Sequence, residues 1–354
     1  MALAGLSFFL PPRGADPATA VTPAGSLAAL RSPLGRPVRV GLVFDVGGRG
    51  DKSFNDAAYE GLRAARATLG AHVEYVEPAD GDDRTSALRL FAARGFDRVI
   101  AVGYVFSRDL DAVARDYPSV RFAGVDYAPP DRGPVPGNVV GLVFREEEGA
   151  YLVGAAAALH RPGNPVGFVG GMDIPLIRRF EAGYRAGVGA VCPGCPVLAA
   201  YAGSTPSAFK DPARGAALAT AQYAQGVQVI FHAAGSTGLG VFSAARRLGR
   251  FAIGVDADQH DEAPGVVITS LRKRVDVVVL EEVRDAAGRR FQRGSMGLRS
   301  FGLAEAGVDW VHAGPHARHL APATVDRVEA LRGEVVAGRV RVPRSLDEAP
   351  GGGP

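Results

Sequence analysis

Lysine is nearly absent from this chain. Of forty basic residues only Lys52, Lys210 and Lys273 are lysine, and the rest are arginine. Either these three mark places where a compact ammonium cannot be replaced by a planar guanidinium, or they are chance survivors of a drift towards arginine. Cysteine is equally scarce: Cys192 and Cys195 in V-C-P-G-C-P are the whole complement. One C-x-x-C cannot close a four-ligand zinc site, and no histidine pair lies near it. Prolines flank the pair on an apparent loop, where a redox-active pair would open a helix, so it reads as a local disulfide or as two free thiols. A disulfide would require an oxidising compartment.

Other absences exclude function classes. The basic residues form no blocks and do not interleave with aromatics, which argues against nucleic acid as a partner. There is no G-x-S-x-G, no H-E-x-x-H, no Cys–His nucleophile pattern and no cluster of metal-binding aspartates. The chain therefore reads as a non-enzyme with no cofactor and no metal. His232 is the exception to weigh, as a general base or as a core histidine. No apolar run reaches the length of a membrane span. The run Leu3 to Leu10 lacks a basic flank, and P-P-R-G-A-D-P separates it from a signal-peptidase-like Ala18-Thr19-Ala20. Residues 1–36 read as a degenerate or misassigned signal segment or as a disordered leader, and residues 343–354 as a disordered tail. No lipobox cysteine is present, which leaves lipid anchoring undecided by the sequence.

What remains is ordinary soluble material. The chain has 354 residues, 47% hydrophobic and 22% charged, with net charge +3. That length accommodates two domains, each with its own core. Its most informative stretch is V-R-V-G-L-V-F-D-V-G-G-R-G-D-K-S-F-N-D-A-A-Y-E-G from Val38. A buried strand over 38–46 runs into a glycine loop, and Ser53 or Asn55 opens an amphipathic helix. The loop lacks the G-x-G-x-x-G spacing of a dinucleotide site and the G-K-S/T ending of a P-loop.

Strand and helix patterns then alternate. Strands are predicted over 38–46, 72–77, 98–102, 120–125 and 138–144, with helices over 55–69, 84–93 and 107–116 between them. A second set follows: a helix from about 147 to 159, strands over 165–169, 197–201, 227–232, 251–255 and 265–269, and helices over 174–188, 213–225 and 238–248. Such alternation with short connections marks parallel βαβ units. The expected fold is α/β: two doubly wound Rossmann-like lobes joined by a multi-strand hinge. Lobe 1 would hold residues 37–143 and 270–298. Lobe 2 would hold residues 144–269 and 299–342. No sequence repeat relates them. Such a hinge implies a cleft that closes on a ligand.

In doubly wound sheets ligands sit at the carboxyl ends of strands. The residues there are Asp45, with Lys52, Phe54 and Asn55 beyond it; Tyr104; Asp126; Asp173, with Phe180 a turn later; Gly235; Asp256; and Lys273. Carboxylates accept hydrogen bonds from hydroxyls, a lysine donates them, and phenylalanine stacks on a flat ring. The residues left to themselves allow other roles. Asp126 and Asp173 could be helix caps or turn residues, Phe180 and Tyr104 could pack the core, and Gly235 could serve only its turn.

Several motifs in order resemble the basic membrane protein family. They are D-V-G-G-R-G-D-K-S-F-N-D-A-A-Y-E-G, Y-A-G-S-T-P-S-A-F-K-D-P, V-I-F-H-A-A-G-S-T-G-L-G-V-F, A-I-G-V-D-A-D-Q and T-S-L-R-K-R-V-D. The resemblance runs from about residue 38 to 342. It implies a type I periplasmic-binding-protein fold and a purine-nucleoside receptor of an ABC importer. The partners would be guanosine, adenosine or inosine and a membrane permease, and the place the periplasmic or outer face of the cell membrane. By the same resemblance Phe54 and Phe180 would stack on the base and Asp126 would meet its edge. Asp45, Asn55 and Gly235 would line the site, and Asp256 and Lys273 would hold the ribose. A same-fold receptor for a sugar or signalling ligand, and a nucleoside-processing enzyme, are the competing readings.

Overall fold

The computed structural model describes residues 35–78, 84–130, 134–287 and 297–348. Most of the expected leader, and the tail from residue 349, lie outside the described residues.

The first set of elements is β1 (Arg39–Val43), α1 (Phe54–Leu69), β2 (His72–Val76), α2 (Arg84–Ala93), β3 (Arg98–Val102), α3 (Ser107–Asp116), β4 (Arg121–Val125) and β5 (Val139–Phe144). The second is α4 (Glu146–His160), β6 (Val166–Met172), α5 (Pro175–Val191), β7 (Val197–Gly203), α6 (Pro212–Ala224), β8 (Val229–Ala233), α7 (Thr237–Leu248), β9 (Phe251–Asp256) and β10 (Val267–Lys273). The chain ends with α8 (Val275–Ala287), β11 (Gly297–Phe301), β12 (Val308–Trp310) and α9 (Pro322–Val336).

Two six-stranded sheets result, ordered β2-β1-β3-β4-β5-β11 and β7-β6-β8-β9-β10-β12. The orders match strand for strand, a symmetry that the sequence does not display. Each sheet is parallel apart from β12, which runs antiparallel to β10. Central strands such as β3 and β8 are buried along their whole length, as a sheet covered on both faces requires.

The chain crosses between the sheets after Phe144, after Lys273 and after Phe301. The expected boundaries at 270 and 299 fall short of this. Residues 270–273 stay in the second sheet, and residues 299–301 pair with β5 in the first. The reason is that β11 is an edge strand, G-L-R-S-F, with alternate residues exposed, so its apolar signal is weak. The crossings are stitched together: Arg145 N donates to Phe301 O at 2.9 Å, and Arg274 N to Gly307 O at 2.8 Å.

Helix α4 is apolar on nearly every side because α5, α9 and the second sheet all pack against it. Its approach to α5 is close: a Cβ at Gly187 would sit 1.9 Å from Tyr151 O. Among the described residues, no helix is long and apolar enough to cross a membrane. Cys192 and Cys195 form a disulfide after α5, with Cα atoms 5.4 Å apart. Residues 343–348, expected as part of a loose tail, instead hold to the second lobe. Arg344 Nε meets Glu147 Oε1 at 2.8 Å, and a 3-10 turn closes the stretch at Leu346–Glu348.

Candidate functional site

The carboxyl ends of both sheets face one cavity. Its lining includes Asp45, Phe54, Asn55, Tyr104 and Asp126 from the first lobe, and Phe180, Gly235, Asp256 and Lys273 from the second. Nine of the eleven residues named at the strand ends are thus brought together. Asp173 is not: it is an exposed partner of Arg178 at 2.5 Å. Lys52 is exposed and faces away from this cavity.

Asp126 follows β4 and Asp256 ends β9, strands that hold the same place in the two sheet orders. Both have left-handed backbone, with φ of 57° and 64°. That conformation is uncommon outside glycine and costs on the order of 1–3 kcal/mol unless the surroundings hold it. Lys273 closes β10 and is buried. Its Nζ lies 2.6 Å from Asp126 Oδ1 and 3.1 Å from Glu146 Oε1. The ammonium also sits 5.1 Å from the Phe54 ring centre, 4.9 Å from Phe144 and 5.7 Å from Phe180. One cation therefore joins carboxylates of both lobes inside an aromatic cage.

Asp51 builds the opposite wall. Its carboxylate accepts from the backbone N–H groups of Ser53 (2.9 Å), Asn55 (2.8 Å) and Asp56 (3.1 Å), so it caps α1. Ser53, one of the two expected helix starts, instead turns its Oγ across the cleft to donate to Asp256 Oδ2. The Asn55 amide accepts from Asp45 N at 3.2 Å and donates to Asp51 Oδ2 at 3.1 Å. One N–H and one lone pair of that amide stay available to a ligand. Tyr104 donates to Met172 Sδ at 2.9 Å, a contact between lobes.

The charges are unequal. Burial pushes the Asp45 carboxyl up to about 7, against the pull of the Val46 N–H and Arg84. Burial likewise pushes Asp256 to about 6, although Lys273 and Ser53 draw it down. Glu146 is raised by burial in spite of Lys273. Lys273 itself is held protonated: its carboxylate neighbours outweigh the burial that disfavours the charge. The site is rich in acceptors around a single buried ammonium. It suits a neutral molecule with several N–H and O–H donors and disfavours an anion.

Phe209, Asp51 and Glu146 were missed from the sequence. Phe209 lines the cavity half-buried, its ring lying where a Cβ at Gly171 would stand, 2.3 Å away. Phe209 stands in the A-F-K-D-P motif, so that motif carried the signal. Glu146 opens an acidic run that looks like a solvated helix start. In the fold Glu146 meets Lys273, Glu147 meets Arg344 and Glu148 meets Arg145. His232 does not line the cavity. It is fully buried, its Nε2 lies 3.1 Å from Gln259 Oε1, and burial presses its pKa to about 4.

Residues 38–344 match the family model Bmp, described as ABC transporter substrate-binding protein PnrA-like. The chain belongs to this family. It is a solute-binding protein of an ABC transporter and not an enzyme. A Bmp relative in Pyrococcus furiosus, named an uncharacterized lipoprotein, is 37% identical over 78% of this chain and 70% of its own. Another, in Lactococcus lactis, is named ABC transporter nucleoside-binding protein BmpA; it is 29% identical, with 86% and 89% covered. Among solved structures, an ABC transporter solute-binding protein from Aeropyrum pernix superposes with a TM-score of 0.78 at 30% identity, covering 88% of this chain and 95% of that one. The expected two-lobed α/β binding fold is therefore the observed one.

Proposed function

We propose that this Bmp protein captures a purine nucleoside between its lobes on the outer side of a cell membrane and passes it to an ABC permease. The observation that carries this reading is the pairing of rings with acceptors in one cavity. Phe54 from one lobe faces Phe180 and Phe209 from the other, and Asp45, Asp126 and Asp256 stand around them. A flat base fills the space between rings, and its N–H edge and the ribose hydroxyls meet carboxylates. The ribose lies towards Asp256 and Lys273. Phe180 is 3% exposed and packed 6.3 Å from Phe231, so its ring is fixed by the core, while Phe209 and Phe54 are more open to the ligand. The disulfide supports an oxidising location. The name of the Lactococcus relative supports the nucleoside.

A sugar is the second reading, because acceptors and a lysine suit it too. The rings, with Leu176 and Ile177 beside them, favour the base. Calorimetry with guanosine, adenosine, inosine, cytidine and ribose separates the two. Purine nucleosides are expected to bind far more tightly than ribose; equal affinities would rule out the base sandwich. Phe54→Ala should weaken purine nucleosides by about tenfold to a hundredfold, the worth of one stacking contact, and leave ribose nearly unchanged. The same loss for ribose would show that the ring does not act by stacking.

A further inference from the structure

Gln259 lies outside the cavity lining and is 1% exposed, three residues beyond β9. Its backbone N donates to Ser270 Oγ at 3.1 Å on β10. Its side-chain Oε1 accepts from Val255 N at 2.9 Å and meets His232 Nε2 at 3.1 Å. Its Nε2 donates to Lys52 O at 2.8 Å, which belongs to the other lobe. A backbone carbonyl can only accept, so the amide orientation is fixed: Nε2 faces Lys52, and His232 carries its proton on Nε2. Gly254 makes room for this arrangement, since a Cβ there would stand 2.8 Å from Gln259 Oε1. Lys52 has left-handed backbone, φ 57°, and its N donates to Asp56 Oδ2 at 3.0 Å. The next residue, Ser53, bonds Asp256, and the one after is Phe54.

We propose that Gln259 is a positioning residue that latches the lobes together and, through the Lys52 carbonyl, sets Phe54 against the ligand. Two consecutive residues of the first lobe, Lys52 and Ser53, are gripped by one turn of the second. Closing the cleft and placing the ring are then a single event. Gln259 touches no ligand itself, so its effect falls on the rate of release.

The proposal takes its ligand from the nucleoside reading, and two measurements keep the two apart. The first is guanosine release by stopped flow. Gln259→Glu keeps the acceptor for Val255 and His232 and replaces the donor to Lys52. Gln259→Asn keeps the amide but is too short to reach. Either is expected to raise the dissociation rate about tenfold, with association within about twofold, as loss of one buried hydrogen bond implies. With Phe54→Ala already present the same change should matter less than about threefold, because the ring it positions is gone. Lys52→Ala, which retains the carbonyl, should behave as wild type. Equal acceleration in both backgrounds, or none, would overturn the coupling. The second measurement is the distance between spin labels at Glu60→Cys and Glu262→Cys, which line the groove between the lobes, in protein without added nucleoside. Wild type should contain a short-distance population that Gln259→Glu loses; identical distributions would refute the latch. A wild type that closes by this measure yet binds no nucleoside would refute the nucleoside reading alone.

Discussion

Lys273→Met is expected to abolish nucleoside binding and to lower the melting temperature most at alkaline pH. The ammonium lies 2.6 Å from Asp126 and 3.1 Å from Glu146, and its charge also acts on Asp256. Removing it leaves buried carboxylates facing one another, and breaking a buried ion pair from one side costs on the order of 3–5 kcal/mol. The pH dependence follows from direction. Asp256 ionises at about 6 in the folded protein against an ordinary 3.8, and Glu146 is also raised. Lys273 is the largest influence holding both down, so without it both move higher. A folded carboxyl whose pKa exceeds its unfolded value keeps a proton that the unfolded chain has released. Its contribution to stability therefore falls as pH rises from the unfolded value through the folded one. The melting deficit of Lys273→Met should be largest near pH 8 and shrink towards pH 5, where the carboxyls are neutral. A deficit that grows on acidification would contradict this electrostatic account. Lys273→Arg should also lose affinity, since a planar guanidinium cannot meet Asp126 and Glu146 within the same ring cage. Wild-type affinity there would show that the scarce lysine is not required as a lysine.

Asp45→Asn should separate stability from binding. Enclosure raises the Asp45 carboxyl to about 7 from an ordinary 3.8. Between those values the folded state holds a proton the unfolded chain has lost, so the stability this group contributes declines across that window and stays low above it. The amide carries no charge to bury and can still accept from Val46 N, now 2.6 Å from Asp45 Oδ1. The variant should therefore gain about 1–3 kcal/mol at pH 8 and almost nothing at about pH 3, below the ordinary 3.8, where the wild-type carboxyl is largely protonated in both states. Guanosine affinity should fall about tenfold to a hundredfold, as expected for loss of a charged acceptor. Melting scans at the two pH values, with calorimetry at pH 8, decide the matter. An Asn variant that melts below wild type at pH 8 would mean that Asp45 supports the fold and carries no functional strain.

The strands and helices were legible because short-range rules set them. Val40 and Leu42 alternate into a core, Gly70 ends α1 with φ 63°, and Pro175 opens α5. Parallel alternation then dictated doubly wound sheets and put Asp45, Asp126 and Asp256 at the strand ends. The weak edge strands β11 and β12 escaped notice, since polar residues such as Arg299, Ser300 and Asp309 dilute the apolar pattern. So did Glu146, whose neighbours Glu147 and Glu148 made it look like one charge in a solvated run.

The opening strand, glycine loop and helix were by themselves enough to mark one jaw of a cleft. Only the tertiary structure decided what that jaw closes on. Asp51, not Ser53, caps α1, which frees Ser53 and the Lys52 carbonyl to be held by Asp256 and Gln259 more than two hundred residues away. Lys273 reaches Asp126 and Glu146 only because the chain crosses between the sheets beside them. Periodicity and turn chemistry act over a few residues and are written locally. Partners across a cleft depend on where the crossings fall and how far the lobes close, and no local pattern records that distance.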